Sequence, residues 1–202
     1  VDRSGQDGVD SRLTRISFRT AQLVVFAAHP TLVPRAPASL DPDFPGRFSQ
    51  LEEEAGRGVT LFLQGAVGNA RAVGPHDAAT FAARLSSASA SVRLAEPREN
   101  VWLGYRRVNV ALPRPDASRL VPSLLRNAGE NVLCRFAPRT AELPAIRLGD
   151  MTLLAVPGEL TFAAARRLEN AASASRAVSL VNGYLGYVET PDAVRQRAGE
   201  SK

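Results

Sequence analysis

A single cysteine, Cys134, is present among the 202 residues, so the sequence excludes an intrachain disulfide and a cage of thiolate metal ligands. No window approaches the roughly 18 consecutive apolar residues of a membrane-spanning helix, and we expect no transmembrane segment. The 25 basic residues are scattered among 20 acidic ones, without a basic stripe interleaved with aromatic residues, so we expect no nucleic-acid partner. The hydrophobic fraction of 45% suffices for one good core, which excludes disorder of the whole chain.

The first part of the chain has the pattern of a strand, a helix and a second strand. Residues 23–28 and 59–63 are short, wholly apolar runs, which is typical of strands buried on both faces. Between them, residues 45–55 begin with a proline, continue with good helix formers and end at glycines. A connection of this kind predicts that the two strands are parallel.

The remainder of the chain continues this alternation. We expect a helix at 77–94, a strand or hairpin at 101–112, a short helix or loop at 120–131, a β-hairpin formed by 145–148 and 151–156, a helix at 160–172 and a strand at 177–181. The hairpin is expected because Gly149 and Asp150 separate two apolar runs. The sequence therefore predicts an α/β fold over residues 1–202, with a mixed sheet and flanking helices.

Three groups of polar residues fall at the ends of predicted strands: His29, Glu159, and the pair Tyr184 and Tyr187. A histidine, a carboxylate and a further oxygen donor are a reasonable ligand set for a catalytic zinc. Each residue also has a structural interpretation. His29 would cap the sheet edge, Glu159 would complement the dipole in the first turn of a helix, and the tyrosines would pack with their hydroxyls in water. Spacing alone leaves both interpretations open.

Four motifs of this chain occur in the same order in neutral ceramidases. They are residues 26–31 (FAAHPT), 62–69 (FLQGAVGN), 157–161 (PGELT) and 182–190 (NGYLGYVET). The sequence thus resembles the neutral/alkaline (non-lysosomal) ceramidase family, as a divergent member that covers the C-terminal part of the catalytic domain. This resemblance implies the neutral-ceramidase fold and a secreted or periplasmic location.

The resemblance also implies a site and a reaction. The family's zinc ligands correspond to His29, Glu159 and Tyr187, and Tyr184 would lie beside the metal or face the substrate. A tyrosine ligand requires that the metal lower its pKa from about 10. By this resemblance the protein would be a zinc-dependent hydrolase in which an activated water attacks the amide bond of ceramide or a related acylated substrate.

One departure from the family pattern concerns a metal ligand. The family has an earlier histidine-rich segment, and the other histidine here, His76, lies in a Gly-Pro-His-Asp context that does not resemble it. The chain begins at Val1, in a polar stretch, which suggests an N-terminus made by proteolysis or truncation. We therefore expect an N-terminal fragment or a partner chain to supply the missing histidine.

A second departure concerns the loop after the second predicted strand. Asn69 stands at the family's aspartate, and Arg71 stands at the serine that takes part in the family's active site. Both are candidate substrate-binding residues. A buried Arg71 beside the metal would repel the cation or else bind a carboxylate or phosphate group of the substrate, whereas a solvent-facing Arg71 would make the loop merely structural. The loss of this serine leaves an alternative function, that of a non-catalytic binding or assembly subunit.

Overall fold

The computed structural model describes residues 8–34, 40–71, 77–117 and 121–196. The elements in chain order are β1 (Thr14–Ser17), β2 (Ala21–Phe26), α1 (Asp43–Glu54), β3 (Val59–Gln64), α2 (Ala78–Ser91), β4 (Leu103–Ala111), a 3₁₀ turn (Ser123–Leu125), α3 (Arg126–Phe136), β5 (Thr140–Leu148), β6 (Met151–Ala155), β7 (Glu159–Leu160), α4 (Phe162–Asn170), β8 (Ser175–Val178), β9 (Tyr187–Val188) and α5 (Pro191–Gln196). No helix in the described ranges is both long and apolar enough to cross a bilayer.

The first sheet has the order β1-β2-β3. Strands β2 and β3 are parallel and connected through α1, as the apolar runs predicted. β1 lies antiparallel on the other side of β2 and was not predicted, because Ile16 is its one apolar residue. The first hydrophobic cluster fills the space between this sheet and helices α1 and α2, with Val24 of β2 and Phe44 and Phe48 of α1 fully buried. This packing holds β2 and β3 in place, so that their parallel carboxyl ends lie at the same edge of the sheet.

The second sheet has the order β4-β5-β6-β8. β5 and β6 form the predicted antiparallel hairpin, and β6 and β8 are parallel. Gly149 adopts φ 59°, a left-handed conformation that glycine reaches without steric cost at the hairpin turn. A second hydrophobic cluster packs α4, through Ala164 and Ala165, against the sheet at Ala177 and Leu143. Together the sheets and helices form the mixed α/β architecture that the sequence predicted.

Helix α4 begins at Phe162, two residues later than predicted. Thr161 is its N-cap, in extended conformation, and its hydroxyl accepts a hydrogen bond from the Ala164 N–H at 3.4 Å. Glu159 and Leu160 consequently form the short strand β7, which pairs in parallel with β9. The interpretation of Glu159 as an acid in the first helical turn is therefore wrong, because the cap lies after it.

The two sheets meet where their parallel strands end. The Ser179 N–H, just after β8, donates to the Gln64 carbonyl at the end of β3, at 2.8 Å. A third hydrophobic cluster joins both sheets, with Val25, Leu153 and Val178 buried at its centre. The carboxyl ends of β2, β3, β6 and β8 are thereby brought close together. This is the edge at which α/β proteins commonly bind ligands.

A buried ion cluster ties the N-terminal segment to the second sheet. Arg176 of β8 is only 2% exposed and forms ion pairs with Asp10 and with Glu169 of α4. Arg12 contacts both of these acids. Burial by itself raises the pKa of Asp10, but hydrogen bonds from Arg12 and the charge of Arg176 outweigh it, so the pKa lies below its ordinary value. Residues 10–12 are therefore part of the folded structure.

Candidate metal centre

His29 lies just beyond the end of β2. Its backbone N–H donates to the Ala70 carbonyl at 3.3 Å, and it forms a parallel bridge with Arg71. The loops that follow β2 and β3 therefore continue side by side past the ends of their strands. The imidazole is 17% exposed, so it can be reached from outside while most of the ring is shielded.

Glu159 is positioned by two neighbouring segments. Through the β7–β9 ladder it lies opposite Tyr187, and its N–H donates to the Gly186 carbonyl at 2.8 Å. On the other side the Gly68 N–H donates to the Leu160 carbonyl at 2.7 Å. A Cβ at Gly68 would lie 2.6 Å from the Glu159 carbonyl oxygen, so only glycine permits this approach. Glu159 is 7% exposed as a result.

The side chains of His29 and Glu159 meet at this edge. The His29 Nε2 lies 3.1 Å from the Glu159 Oε2. Both atoms are buried, and neither has a hydrogen-bond partner among the described residues. The two atoms are thus within ion-pair distance of each other without forming a hydrogen bond, and a cation bound between them would satisfy both.

Tyr184 holds the other oxygen of the carboxylate. Its hydroxyl donates to the Glu159 Oε1 at 2.8 Å. This hydrogen bond and the negative charge of Glu159 raise the pKa of Tyr184, because both favour the neutral phenol. Tyr184 therefore acts as a proton-bearing donor that orients Glu159. It leaves the Oε2 facing His29.

The segment that presents Tyr184 is unusual in its backbone. Leu180 and Asn182 adopt left-handed conformations, with φ of 62° and 58°. The segment is fastened by backbone bonds to the turn before Glu159, since the Leu180 N–H donates to the Gly158 carbonyl at 3.1 Å and the Leu185 N–H to the Pro157 carbonyl at 2.7 Å. Leu180 is therefore strained, and strain of this kind, often found in functional loops, persists only where the surrounding contacts hold the segment in place.

The donor chemistry of this pair fits zinc. Two ligands that each lie about 2.0–2.2 Å from a tetrahedral zinc are roughly 3.4 Å apart, close to the observed separation of 3.1 Å between the His29 and Glu159 atoms. Tyr187 is in register with Glu159 and 41% exposed. In the described part of the chain, no group of three or more histidine, cysteine, aspartate and glutamate side chains is arranged to hold a metal. The pair offers two donors, and a zinc bound here would need further ones.

The candidate substrate-binding residues lie beside this pair in different environments. Asn69 is fully buried, its amide N–H donates to the Gly8 carbonyl at 2.9 Å, and its amide oxygen accepts from the Phe162 N–H at 2.9 Å. These contacts connect the N-terminal segment to the start of α4. Arg71 is an exposed residue, which agrees with the solvent-facing alternative of the two that the sequence left open. His76 lies outside the described residues.

Two supporting residues were not anticipated from the sequence. The Ser179 hydroxyl accepts from the Leu160 N–H at 3.3 Å, and Gly68 permits the close approach of β7. Gly68 carried a signal, because it lies in the loop motif of residues 62–69. Ser179 carried none, since a serine after an apolar strand is common and its contact depends on the packing of β7.

An apolar cavity of about 450 Å³ lies between α4 and the edge of the second sheet. Leu160 and Val188 line it, together with Leu143, Ala164 and Leu185. Because successive side chains of a strand point to opposite faces, this cavity is behind the β7–β9 ladder, on the side away from Glu159 and Tyr187. It is therefore separate from the His29–Glu159 pair.

The arrangement defines an α/β protein with the fold of part of a neutral ceramidase. The structure of neutral ceramidase from Pseudomonas aeruginosa superposes with a TM-score of 0.72 and 18% sequence identity, over 99% of this chain and 44% of that chain. A ceramidase complexed with C2 gives a TM-score of 0.71 and 17% identity, over 97% of this chain and 45% of that chain. The chain thus spans less than half the length of either structure. The predicted neutral-ceramidase-like fold is confirmed.

Comparison of the sequence alone gives no such match. No protein-family model matches the chain, and no curated protein does. The likeness to ceramidases is therefore one of fold, preserved at a low level of sequence identity.

Proposed function

We propose that this chain is part of a zinc-dependent hydrolase that cleaves the amide bond of ceramide or a related acylated substrate. The observation that carries the proposal is the buried His29–Glu159 pair, whose facing atoms are 3.1 Å apart and lack hydrogen-bond partners among the described residues. The ceramidase fold around this pair supports the choice of substrate class.

The residues have distinct roles in this proposal. His29, Glu159 and Tyr187 would hold the zinc. The bound zinc would lower the pKa of a water molecule and polarise the carbonyl of the scissile amide. Tyr184 keeps the Glu159 carboxylate in one orientation through its hydrogen bond to Oε1, so that Oε2 stays directed toward His29. The tyrosine also places a hydroxyl proton beside the site.

The donors that the described residues lack would come from an N-terminal fragment or a partner chain. The two ceramidase structures support this part of the proposal, because more than half of each has no counterpart here. On this view residues 1–202 are the C-terminal portion of a larger catalytic domain. We also propose a secreted or periplasmic location, by analogy with the family that the motifs resemble.

A second function is favoured by Arg71. This residue occupies the position of the family's active-site serine by motif resemblance, and it is exposed beside His29. A guanidinium group cannot replace a hydroxyl in acyl chemistry. The chain would then be a non-catalytic binding or assembly subunit that retains the ceramidase fold.

Zinc content and activity separate these functions. Elemental analysis of the purified chain, alone and with its partner segment, should show zinc that His29→Ala and Glu159→Ala each remove, whereas the exposed control Glu54→Ala retains it. Hydrolysis of a short-chain fluorescent ceramide should follow the same pattern. A zinc-loaded, complete assembly without hydrolysis would support the binding subunit, and a chain that never takes up zinc would overturn the metal site.

A further inference from the structure

The ladder that carries Glu159 and Tyr187 is short. Strands β7 and β9 have two residues each, with Glu159 opposite Tyr187 at the first pair. At the other end, the N–H of Thr161, the residue after β7, donates to the Val188 carbonyl at 3.1 Å. Short pairings of strands are marginally stable by themselves. The contacts just beyond the two strands therefore decide how firmly Tyr187 is held opposite Glu159.

Glu189, the residue after β9, extends this ladder through its side chain. The hydroxyl of Thr161 donates to the Glu189 Oε2 at 3.1 Å, and the Val188 carbonyl is a more distant acceptor at 3.5 Å. The Thr190 N–H donates to the same carboxylate oxygen at 3.3 Å. Thr161 is fully buried and Glu189 is half-buried, so the hydroxyl is shielded from water. Hydrogen bonds to a carboxylate are stronger than those between neutral groups.

The hydroxyl of Thr161 accepts one hydrogen bond and donates another. Its oxygen accepts from the Ala164 N–H at 3.4 Å, as the N-cap of α4. A hydroxyl has a single proton to donate, and the carboxylate of Glu189 is the nearer of its two acceptors. The contacts from Ala164 through Thr161 to Glu189 therefore connect β9 to the start of α4 as well as to β7.

The two strands of the ladder are restrained unequally. β7 is also held from its other side, where the Gly68 N–H donates to the Leu160 carbonyl at 2.7 Å. β9 follows Gly186, which adopts φ 80° and has open space where a Cβ would lie. Glycine restrains the backbone less than any other residue. The position of Tyr187 therefore depends on the ladder itself and on Glu189 at its far end.

We propose that Glu189 is a positioning residue that holds β9 against β7, through its hydrogen bond with Thr161, and so keeps Tyr187 opposite Glu159. This deepens the proposed function, in which Tyr187 and Glu159 would be zinc ligands, and it rests on that function only for the effect on the metal. The ladder itself is present without zinc. Its restraint can therefore be measured in the metal-free chain.

Hydrogen exchange in the metal-free, ¹⁵N-labelled chain tests this restraint. The Thr161 N–H reports on the β7–β9 ladder, and the Gly65 N–H, which donates to the Phe26 carbonyl at 2.8 Å, reports on the first sheet. Glu189→Ala should speed exchange at Thr161 by about tenfold, as expected for the loss of one hydrogen bond to a charged group, and should leave Gly65 unchanged.

Two further variants separate the hydrogen bond from the charge. Glu189→Gln keeps an oxygen that can accept from Thr161 and should restore most of the protection. Glu189→Asp keeps the charge but shortens the side chain, so it should behave like the alanine variant. Glu130→Ala is the matched control, because this half-buried glutamate also accepts a side-chain hydrogen bond, from Arg126 on α3. The control should change neither amide.

Zinc affinity of the same variants gives a second readout. Glu189→Ala should weaken zinc binding by about tenfold, and Glu189→Gln should recover most of the loss. Unchanged exchange at Thr161 in the alanine and aspartate variants overturns the proposal. Equal acceleration at Thr161 and Gly65 also overturns it, because overall stability would then be lost, as does a loosened ladder with unchanged zinc affinity. A chain that takes up no zinc but shows the selective acceleration at Thr161 overturns the zinc function and supports the role of Glu189 in the ladder.

Discussion

Glu159 is fixed by both its backbone and its side chain. The N–H donates to Gly186, the Oε1 accepts from Tyr184, and the backbone lies in register with Tyr187. One short segment thus sets the position and the orientation of the carboxylate. In the proposed zinc site Glu159 would be a metal ligand, and replacing a residue that orients such a ligand commonly changes metal affinity by 10–100-fold.

Tyr184→Phe should therefore weaken zinc binding by about tenfold or more, because Glu159 loses the hydrogen bond that holds its Oε1. Competition with a chromogenic zinc chelator measures the affinity. Tyr105→Phe is the matched control, since this tyrosine lies on β4 and is similarly exposed. Tyr187→Phe should cause the larger loss expected for a direct ligand. Equal affinities for the Tyr184 variant and the control would contradict the assigned role.

At the scale of elements, the close contact between the loop after β3 and strand β7 determines the geometry of the site. Gly68 makes this contact with its own N–H and leaves no space for a side chain. The loop also carries Asn69, whose amide bonds to the first residue of α4. A displacement of this loop would thus move β7 and the start of α4 together.

Gly68→Ala should destabilise the fold by about 1–3 kcal/mol, because the added Cβ would lie 2.6 Å from a backbone oxygen that cannot move aside freely. Urea unfolding gives the stability. Gly65→Ala is the control, since its Cβ would meet its nearest atoms at 3.3–3.4 Å and should cost less. Zinc affinity should fall with Gly68→Ala, because β7 carries Glu159. The same stability for both variants would argue against a tight contact.

At the scale of the whole molecule, the Asp10–Arg176 pair holds the chain's N-terminal segment on the second sheet. The lowered pKa of Asp10 makes this contribution depend on pH. A carboxyl group with a depressed folded-state pKa stabilises the protein fully above its unfolded pKa of about 3.9 and loses that contribution as the pH falls through the folded value.

Asp10→Asn should cost about 3 kcal/mol at pH 7, the low end for breaking a buried ion pair, because Glu169 still faces Arg176. The stability difference from the unmodified protein should shrink as the pH falls from about 4, where the unfolded chain's aspartate is protonated, through the lower folded-state pKa of Asp10. Urea unfolding at pH 7, 4 and 3 measures it. Asp41→Asn, which breaks the exposed pair with Arg47, should change little. A pH-independent difference for Asp10→Asn would refute the electrostatic explanation.

Sequence patterns sufficed for elements with strong local signals. The apolar run of β3 and the Gly149 turn between β5 and β6 are examples. Strands β7 and β9 have two residues each, so no periodicity could reveal them, and their pairing depends on the segment after Ser179. The sequence also predicted that the polar residues His29, Glu159, Tyr184 and Tyr187 lie at the ends of strands. The contact of Tyr184 with Glu159 could not be predicted. It depends on the left-handed backbone conformations of Leu180 and Asn182, which the sequence pattern does not indicate.

The position of His29 near the start of the chain and of Glu159 and Tyr184 near its end has a consequence for synthesis. Contacts between segments so distant in sequence form late in folding, since a long loop must close before they can contribute. During translation, His29 and the loop after β3 would be made first. They could not contact Glu159 and the tyrosines until those residues had been made. The His29–Glu159 pair and its Tyr184 contact can therefore form only after residue 184 has been made and the long intervening loop has closed.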